Sequence, residues 1–187
     1  MPTEVRFVSK NAFKLEEAAT ILGRAGVTVT PLKIVIDELQ TDDTTVLVKD
    51  KTLKAFSRVG RPLFVEHTGL YLSHLSGLPG GLTEVFWNTL EADRFAELVG
   101  NSPDPAAIAR TMIGYTDARR FYQFTGEIPG RIAAKPKGPR EFQWDCVFIP
   151  EGESDTFAEM GNRKNDLSMR RKALDAFAQF LRAASTR

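Results

Sequence analysis

Short β-rich runs alternate with segments of helical period along the whole chain, and that alternation argues against both an all-helical bundle and an all-β sandwich. Val5-Arg6-Phe7-Val8 reads as a strand, Ser9-Lys10-Asn11-Ala12 as a polar turn, and residues 13–22 as a helix. In that helix Leu15, Ala18, Ala19 and Leu22 recur at steps of three and four, which places them on a core side and turns Glu16 and Glu17 outward. Residues 27–31 and 33–36 read as extended. A helix is predicted near 45–59, with Val46, Leu53 and Phe56 on its inner face and Gly60 closing it. Leu63-Phe64-Val65 reads as a buried strand that stops at Glu66-His67-Thr68-Gly69. Gly77-Leu78-Pro79-Gly80-Gly81 marks a sharp loop before an aromatic helix at 82–90, followed by a short acidic helix at 93–98. Long strands are expected near 109–115 and 120–128, with Tyr122, Phe124 and Ile128 alternating onto one face. A basic, proline-broken loop at 130–140, a strand at 146–149 and a helix at 168–184 complete the reading, the helix carrying Leu174, Phe177, Ala178 and Leu181 inward. No repeat or linker divides the chain, so the expectation is one α/β domain over residues 1–187, with helices around a mixed sheet.

A chain of 187 residues, 42% apolar and 26% charged, can bury a core without metal or disulfide staples. Its 25 basic and 24 acidic residues leave a net charge of +1, which argues against nucleic acid or an anionic membrane as a partner of the whole molecule. The charge is uneven, however. Arg131, Lys135, Lys137 and Arg140 share one loop, and Arg163, Lys164, Arg170, Arg171, Lys172, Arg182 and Arg187 crowd the last part of the chain. Such local basic surfaces suit a small anion, or are simply solvated. A lone cysteine, Cys146, excludes an internal disulfide and fits a reducing compartment. Met1-Pro2-Thr3-Glu4 shows no secretory signal, and no apolar run approaches the roughly 20 residues of a membrane span, so the expected location is cytoplasmic.

Asn11 and Lys14 fall where the first strand turns into the first helix, a place where free backbone N–H groups and an ammonium suit phosphate. The same pattern is often structural. Lys51 is either a second phosphate contact or an exposed helix lysine. Glu38 and Glu66 are candidate ligands for a hard cation such as magnesium, or solvated carboxylates. Phe142-Gln143-Trp144-Asp145 places two aromatic rings beside a carboxylate, which fits stacking on a nucleobase and hydrogen bonding to its edge. It equally fits a core-facing aromatic pair with a turn aspartate.

Taken in order, Ser9-Lys10-Asn11-Ala12-Phe13-Lys14-Leu15-Glu16-Glu17, Val65-Glu66-His67-Thr68-Gly69-Leu70, Leu75-Ser76-Gly77-Leu78-Pro79-Gly80, Gly130-Arg131-Ile132, Phe142-Gln143-Trp144-Asp145, Thr156-Phe157-Ala158-Glu159-Met160, Lys164-Asn165 and Ser168-Met169-Arg170 form a series. Over essentially the whole chain it resembles the inosine triphosphate pyrophosphatase family. That resemblance implies an elongated mixed α/β sheet flanked by helices, two lobes with a nucleotide cleft between them, and a homodimer. It implies cleavage of ITP, dITP or XTP to monophosphate and pyrophosphate with magnesium. By the same resemblance Asn11, Lys14 and Lys51 contact the triphosphate, Thr68 also binds the nucleotide, Glu38 and Glu66 sit at the metal end, and Glu38, Glu66 and His67 form the catalytic set. Phe142, Trp144, Asp145, Lys164, Ser168 and Arg170 hold the purine.

The series departs from the family pattern at the same places. Glu66 is followed by His67 where the family carries an aspartate, and Met169 stands where it carries a base-contacting histidine. Lys10 and Gln143 replace glycines, and Cys146 replaces a proline. Magnesium prefers oxygen ligands, so an imidazole cannot supply the missing anionic charge, although it can act as a general base. Three readings follow. A degenerate subunit could sense a deaminated purine triphosphate such as dITP or ITP and signal to a sirtuin-like NAD-consuming effector, as relatives do in antiphage defence assemblies. A working pyrophosphatase could use His67 in catalysis. A scaffold would bind no nucleotide.

Overall fold

The computed structural model describes residues 3–185. The N-terminal Met1-Pro2 of the leader reading, and Arg187 of the basic tail, lie outside the described residues. The elements are β1 (Thr3–Val8), α1 (Ala12–Arg24), β2 (Val27–Leu32), α2 (Thr44–Val59), β3 (Leu63–Leu72), α3 (Thr83–Phe95), β4 (Ala106–Thr116), β5 (Phe121–Ile132), β6 (Phe148–Pro150), the single turns α4 (Phe157–Met160) and α5 (Lys164–Leu167), and α6 (Met169–Ser185). Six strands form one sheet in the order β2-β1-β3-β4-β5-β6. β1 runs parallel to β2 and β3, the arrangement that crossover helices α1 and α2 require, and the remaining pairs are antiparallel. The fold class expected from the sequence, a mixed sheet flanked by helices, is the one observed.

Several local expectations need correction. Residues 33–36 are not a strand. They run as irregular chain tied to α2 by Arg58, which donates to the Val35 carbonyl, and by Lys54, which donates to the Asp37 carbonyl at 3.2 Å. β3 does not stop at Glu66 but pairs with β4 from Leu63↔Thr116 to Leu72↔Ala107. The polar triplet survives mid-strand because its side chains find partners, as the Thr68 and Thr111 hydroxyls do at 2.7 Å. The inner face of α2 is Thr44, Leu47, Val48, Thr52 and Ala55. Val46 and Leu53 point outward, 47% and 50% exposed. Thr52 is tolerated inside because its hydroxyl donates to the Val48 carbonyl at 2.7 Å. On α1, Ala19 is exposed and Ile21 is buried. The aromatic helix and the short acidic helix are both present: the backbone leaves helical geometry at Glu91 (φ 55, ψ 179), which divides the span of α3 into two helical runs. The second, containing 93–98, ends in a wide turn at Ala96–Gly100. Residues 130–132 end β5, and Cys146 closes the turn Gln143–Cys146 ahead of β6.

Three apolar clusters explain how this sheet makes a site. Val5, Phe7, Phe64, Ile113, Leu174 and Phe177 fill the space between the sheet and α1 and α6. Val8, Leu63, Val65, Leu47, Val48 and Ala55 fill the space against α2. Farther along, Leu70, Leu72, Phe95, Trp144, Phe148 and Phe157 build a separate body. Glu66, His67 and Thr68 lie on β3 between these bodies, where the two lobes meet. Side chains alternate along a strand, so Glu66 and Thr68 share the face of Phe64, and His67 shares the face of Val65.

Candidate functional site

The turn after β1 ends in Asn11, whose Oδ1 accepts from the Lys14 backbone N–H at 3.1 Å and so caps α1. The start of α1 opens onto a cleft of about 520 Å³. Asn11, Lys14, Glu38, Lys51 and Glu66, scattered over more than fifty positions, all line it. Ser9, Gln40, Glu84, Asn88 and Gln143 line it too. The sequence reading missed the Glu84–Asn88 pair, whose four-residue spacing on α3 is the signal that puts both on one face.

Two of the three carboxylates lining the cleft, Glu38 and Glu66, are already matched by cations. Lys51 donates to Glu38 and, at 3.2 Å, to the Glu66 carbonyl. His67 Nδ1 lies 3.5 Å from Glu38 Oε2, and His67 Nε2 is buried without a partner among the described residues. Burial alone would push Glu38 upward, but the His67 hydrogen bond and the Lys51 charge outweigh it and hold the carboxyl below its usual range. Glu66 behaves likewise: burial raises it, and Arg170 and Lys14 more than reverse the shift. Burial lowers His67 despite Glu38, which favours a neutral imidazole. Lys14 is also lowered by burial, only partly offset by Glu66 at 3.3 Å.

Behind the cleft the network continues into the other helices. Arg170 grips Glu66 with Nε to Oε2 at 2.8 Å and Nη2 to Oε1 at 3.1 Å. Its Nη1 donates to Glu17. Burial would lower Arg170, yet Glu66 and Glu17 raise it, so it remains charged. Glu17 was expected to face outward. It instead joins α1 to the last helices, pairing with Lys164 at 3.0 Å as well as with Arg170. Lys164 reaches Asp145 at 2.6 Å and lies 4.2 Å from the Phe142 ring centroid. Burial pushes Asp145 upward, against the pull of Lys164.

The residues the sequence reading assigned to a base are close together but differ in access. Phe142 is half-buried, its ring stacked 5.0 Å from Phe13. Trp144 is 3% exposed and packs edge-on against Phe148, so the core-facing alternative describes most of its surface. Ser168 is fully buried, and its Oγ accepts from the Arg171 backbone N–H at 3.2 Å at the start of α6. Thr68 donates to Glu66 at 2.8 Å. Lys14, Thr68, Phe142, Gln143, Trp144, Asp145, Met169 and Arg170 enclose a pocket of only about 10 Å³, the space of one water molecule. A purine enters it only if the lobes part.

The donor set does not fit a resident magnesium as arranged. No group of three or more His, Cys, Asp or Glu side chains that could hold a metal occurs among the described residues. Glu38 and Glu66 are each neutralised by their own cations, whereas magnesium needs free oxygen ligands in near-octahedral geometry. Among the described residues no helix is long and apolar enough to cross a membrane.

Comparison with known proteins gives a consistent picture. The Ham1 family model matches residues 5–180. A dITP/XTP pyrophosphatase of Methanopyrus kandleri is 35% identical over 179 residues, covering 95% of this chain and 95% of the relative. An inosine triphosphate pyrophosphatase of Candida glabrata is 36% identical over 191 residues, covering 97% and 99%. The solved HAM1 protein of Coxiella burnetii superposes with a TM-score of 0.82 at 22% identity, over 97% of this chain and 99% of that one, a likeness of fold.

Proposed function

The chain belongs to the Ham1 family, and from that premise we propose that its cleft binds a deaminated purine nucleoside triphosphate such as dITP or ITP with little turnover. Lys14, Lys51 and the start of α1 receive the phosphates, and Phe142, Asp145 and Lys164 receive the base once the small pocket widens. One observation carries the claim of weak hydrolysis. Beside Glu38, where a second anionic oxygen would complete a cation site, stands the imidazole of His67, and the neighbouring Glu66 is consumed by Arg170. Phosphoanhydride cleavage depends on positioning and charge neutralisation, and a site that binds without those groups holds substrate better than it stabilises the transition state. Magnesium enters this reading only as the nucleotide's own counter-ion. The finer parts of the proposal are a homodimer, and a signal from the loaded form to a sirtuin-like NAD-consuming partner in antiphage defence. Light scattering of the purified chain tests the dimer, and pull-down of such a partner with dITP tests the signal.

A second reading has its own support. His67 Nε2 is unpartnered and its imidazole is held neutral beside Glu38, the state a general base needs. The relatives named above are pyrophosphatases. Pyrophosphate release from dITP decides between the two. The binding reading predicts barely measurable release by the wild type, and an increase of at least about tenfold in His67→Asp, the order contributed by one transition-state charge contact. Brisk wild-type turnover that falls in both His67→Asp and His67→Ala selects the hydrolase.

A further inference from the structure

Gln143 stands in the left-handed region of the backbone, at φ 44, where side chains other than glycine, asparagine and aspartate are rarely found. Such strain persists where the surroundings impose it, and it clusters at ligand clamps. Gln143 also has an unusual location. Of all residues lining the phosphate cleft and the small base pocket, only Lys14 and Gln143 line both. They form the neck between the two. A nucleotide that puts its phosphates in the cleft and its base in the pocket must pass its sugar through that neck, because sugar is what joins the two ends. Lys14 is engaged by Glu66 at 3.3 Å. The carboxamide of Gln143 makes no side-chain hydrogen bond among the described residues, and it carries both a donor and an acceptor.

We propose that Gln143 is the sugar-reading residue of this site, its carboxamide hydrogen-bonding a hydroxyl of the nucleotide's sugar in the neck between phosphates and base. The inference rests on the nucleotide-binding reading above and extends it to the sugar. It makes Gln143 a specificity determinant: a nucleotide lacking sugar hydroxyls leaves the amide unpaired in a narrow space and binds more weakly.

The test is titration calorimetry of the full chain and two variants, Gln143→Gly and Gln143→Asn, with ITP, dITP, 2′,3′-dideoxyinosine triphosphate and inorganic tripolyphosphate. Glycine and asparagine both suit a positive φ better than glutamine, so the turn keeps its shape. Asparagine retains the amide but draws it back by one methylene. Wild type should bind ITP and dITP on the order of fivefold more tightly than the dideoxy nucleotide, the size of one net hydrogen bond. Both variants should lose that factor for ITP and dITP, and lose nothing for the dideoxy nucleotide or tripolyphosphate. Unchanged ITP affinity in the variants, or an equal loss for the dideoxy nucleotide, overturns the sugar contact and leaves the nucleotide reading standing. Tripolyphosphate binding with no inosine nucleotide bound by the wild type overturns both.

Discussion

Arg170 has four of its five guanidinium N–H donors engaged inside the protein. Its guanidinium is spent on Glu66, Glu17 and Thr68, and both it and Glu66 are 1% exposed at the side chain. Removing one member of a buried pair leaves the other charged and unpaired, so Arg170→Ala should destabilise the protein by about 3–5 kcal/mol in denaturant titration. A loss below about 1 kcal/mol would make it a surface-type pair and return Arg170 to the role of free base contact. His67, Glu38 and Glu66 also set a pH dependence. His67 is lowered from 6.5 on folding, so its contribution is complete above that value and is lost as pH falls below it. Glu38 and Glu66 are lowered from 4.5, and their contribution fades as pH drops below that point. Asp145, raised from 3.8, acts in the opposite sense over the acid range. Unfolding free energy should therefore fall between pH 7 and 5, then fall more steeply below about 4.5 as the carboxylates titrate. His67→Gln should abolish the first fall and keep the second; an identical slope in both proteins would show that His67 is not the group. The sequence made Lys14 and Glu66 legible because each stands in a recognisable motif, whereas Glu38 and Lys51 stand in none and are singled out by the family resemblance. It hid Glu17, whose partners lie 147 and 153 positions away on other helices.

Elements with one strong signal were read correctly, and those with two competing signals were not. In α6, Leu174, Phe177, Ala178 and Leu181 repeat at helical spacing with charged residues between them, and all four are buried. In α2 the apolar residues Val46, Leu53 and Phe56 suggest one face, while the packing uses Leu47, Val48 and Ala55 with two satisfied threonines. Leu47→Ala should cost about 2–5 kcal/mol, whereas Leu53→Lys should stay within about 0.5 kcal/mol by thermal and chemical denaturation. The reverse order would restore the face expected from hydropathy. β3 is longer than expected for a similar reason: Glu66-His67-Thr68 looks like the end of a strand, since nothing local shows that Lys14 and Arg170 meet Glu66, Glu38 meets His67 and Thr111 meets Thr68. Where α6 crosses β5, a Cβ on Gly126 would stand 2.1 Å from the Met169 carbonyl oxygen and 2.5 Å from the Ala173 nitrogen. That close approach brings Arg170, on the first turn of α6, to Glu66.

At the scale of the whole molecule, the sheet order and the site belong to one design. β1 and β3 are adjacent, so the loop that follows β1 and Glu66 of β3 face the same cleft from neighbouring strands. The apolar clusters on either side of Glu66 leave the polar residues at the seam between lobes, where a ligand enters with least disturbance of packing. Likeness to Ham1 proteins extends across nearly the whole chain, so the ordered series of motifs identified the family even where single motifs were ambiguous. What the series could not show was the state of the base pocket, because its closure depends on the stacking of Phe142 with Phe13 and on ion pairs across three helices. The central claim is that this cleft binds a 6-oxo purine triphosphate, the class that includes the deaminated purines, in preference to an adenine nucleotide. Its most direct test is titration calorimetry of the wild-type protein with dITP, XTP, dGTP and dATP in magnesium buffer. The account predicts a saturable 1:1 isotherm with dITP and XTP, at least about tenfold tighter than with dATP, since Lys164 donates to a 6-oxo group and meets no acceptor on the exocyclic amine of adenine. Equal affinity for all four nucleotides, or no heat with any of them, would contradict it.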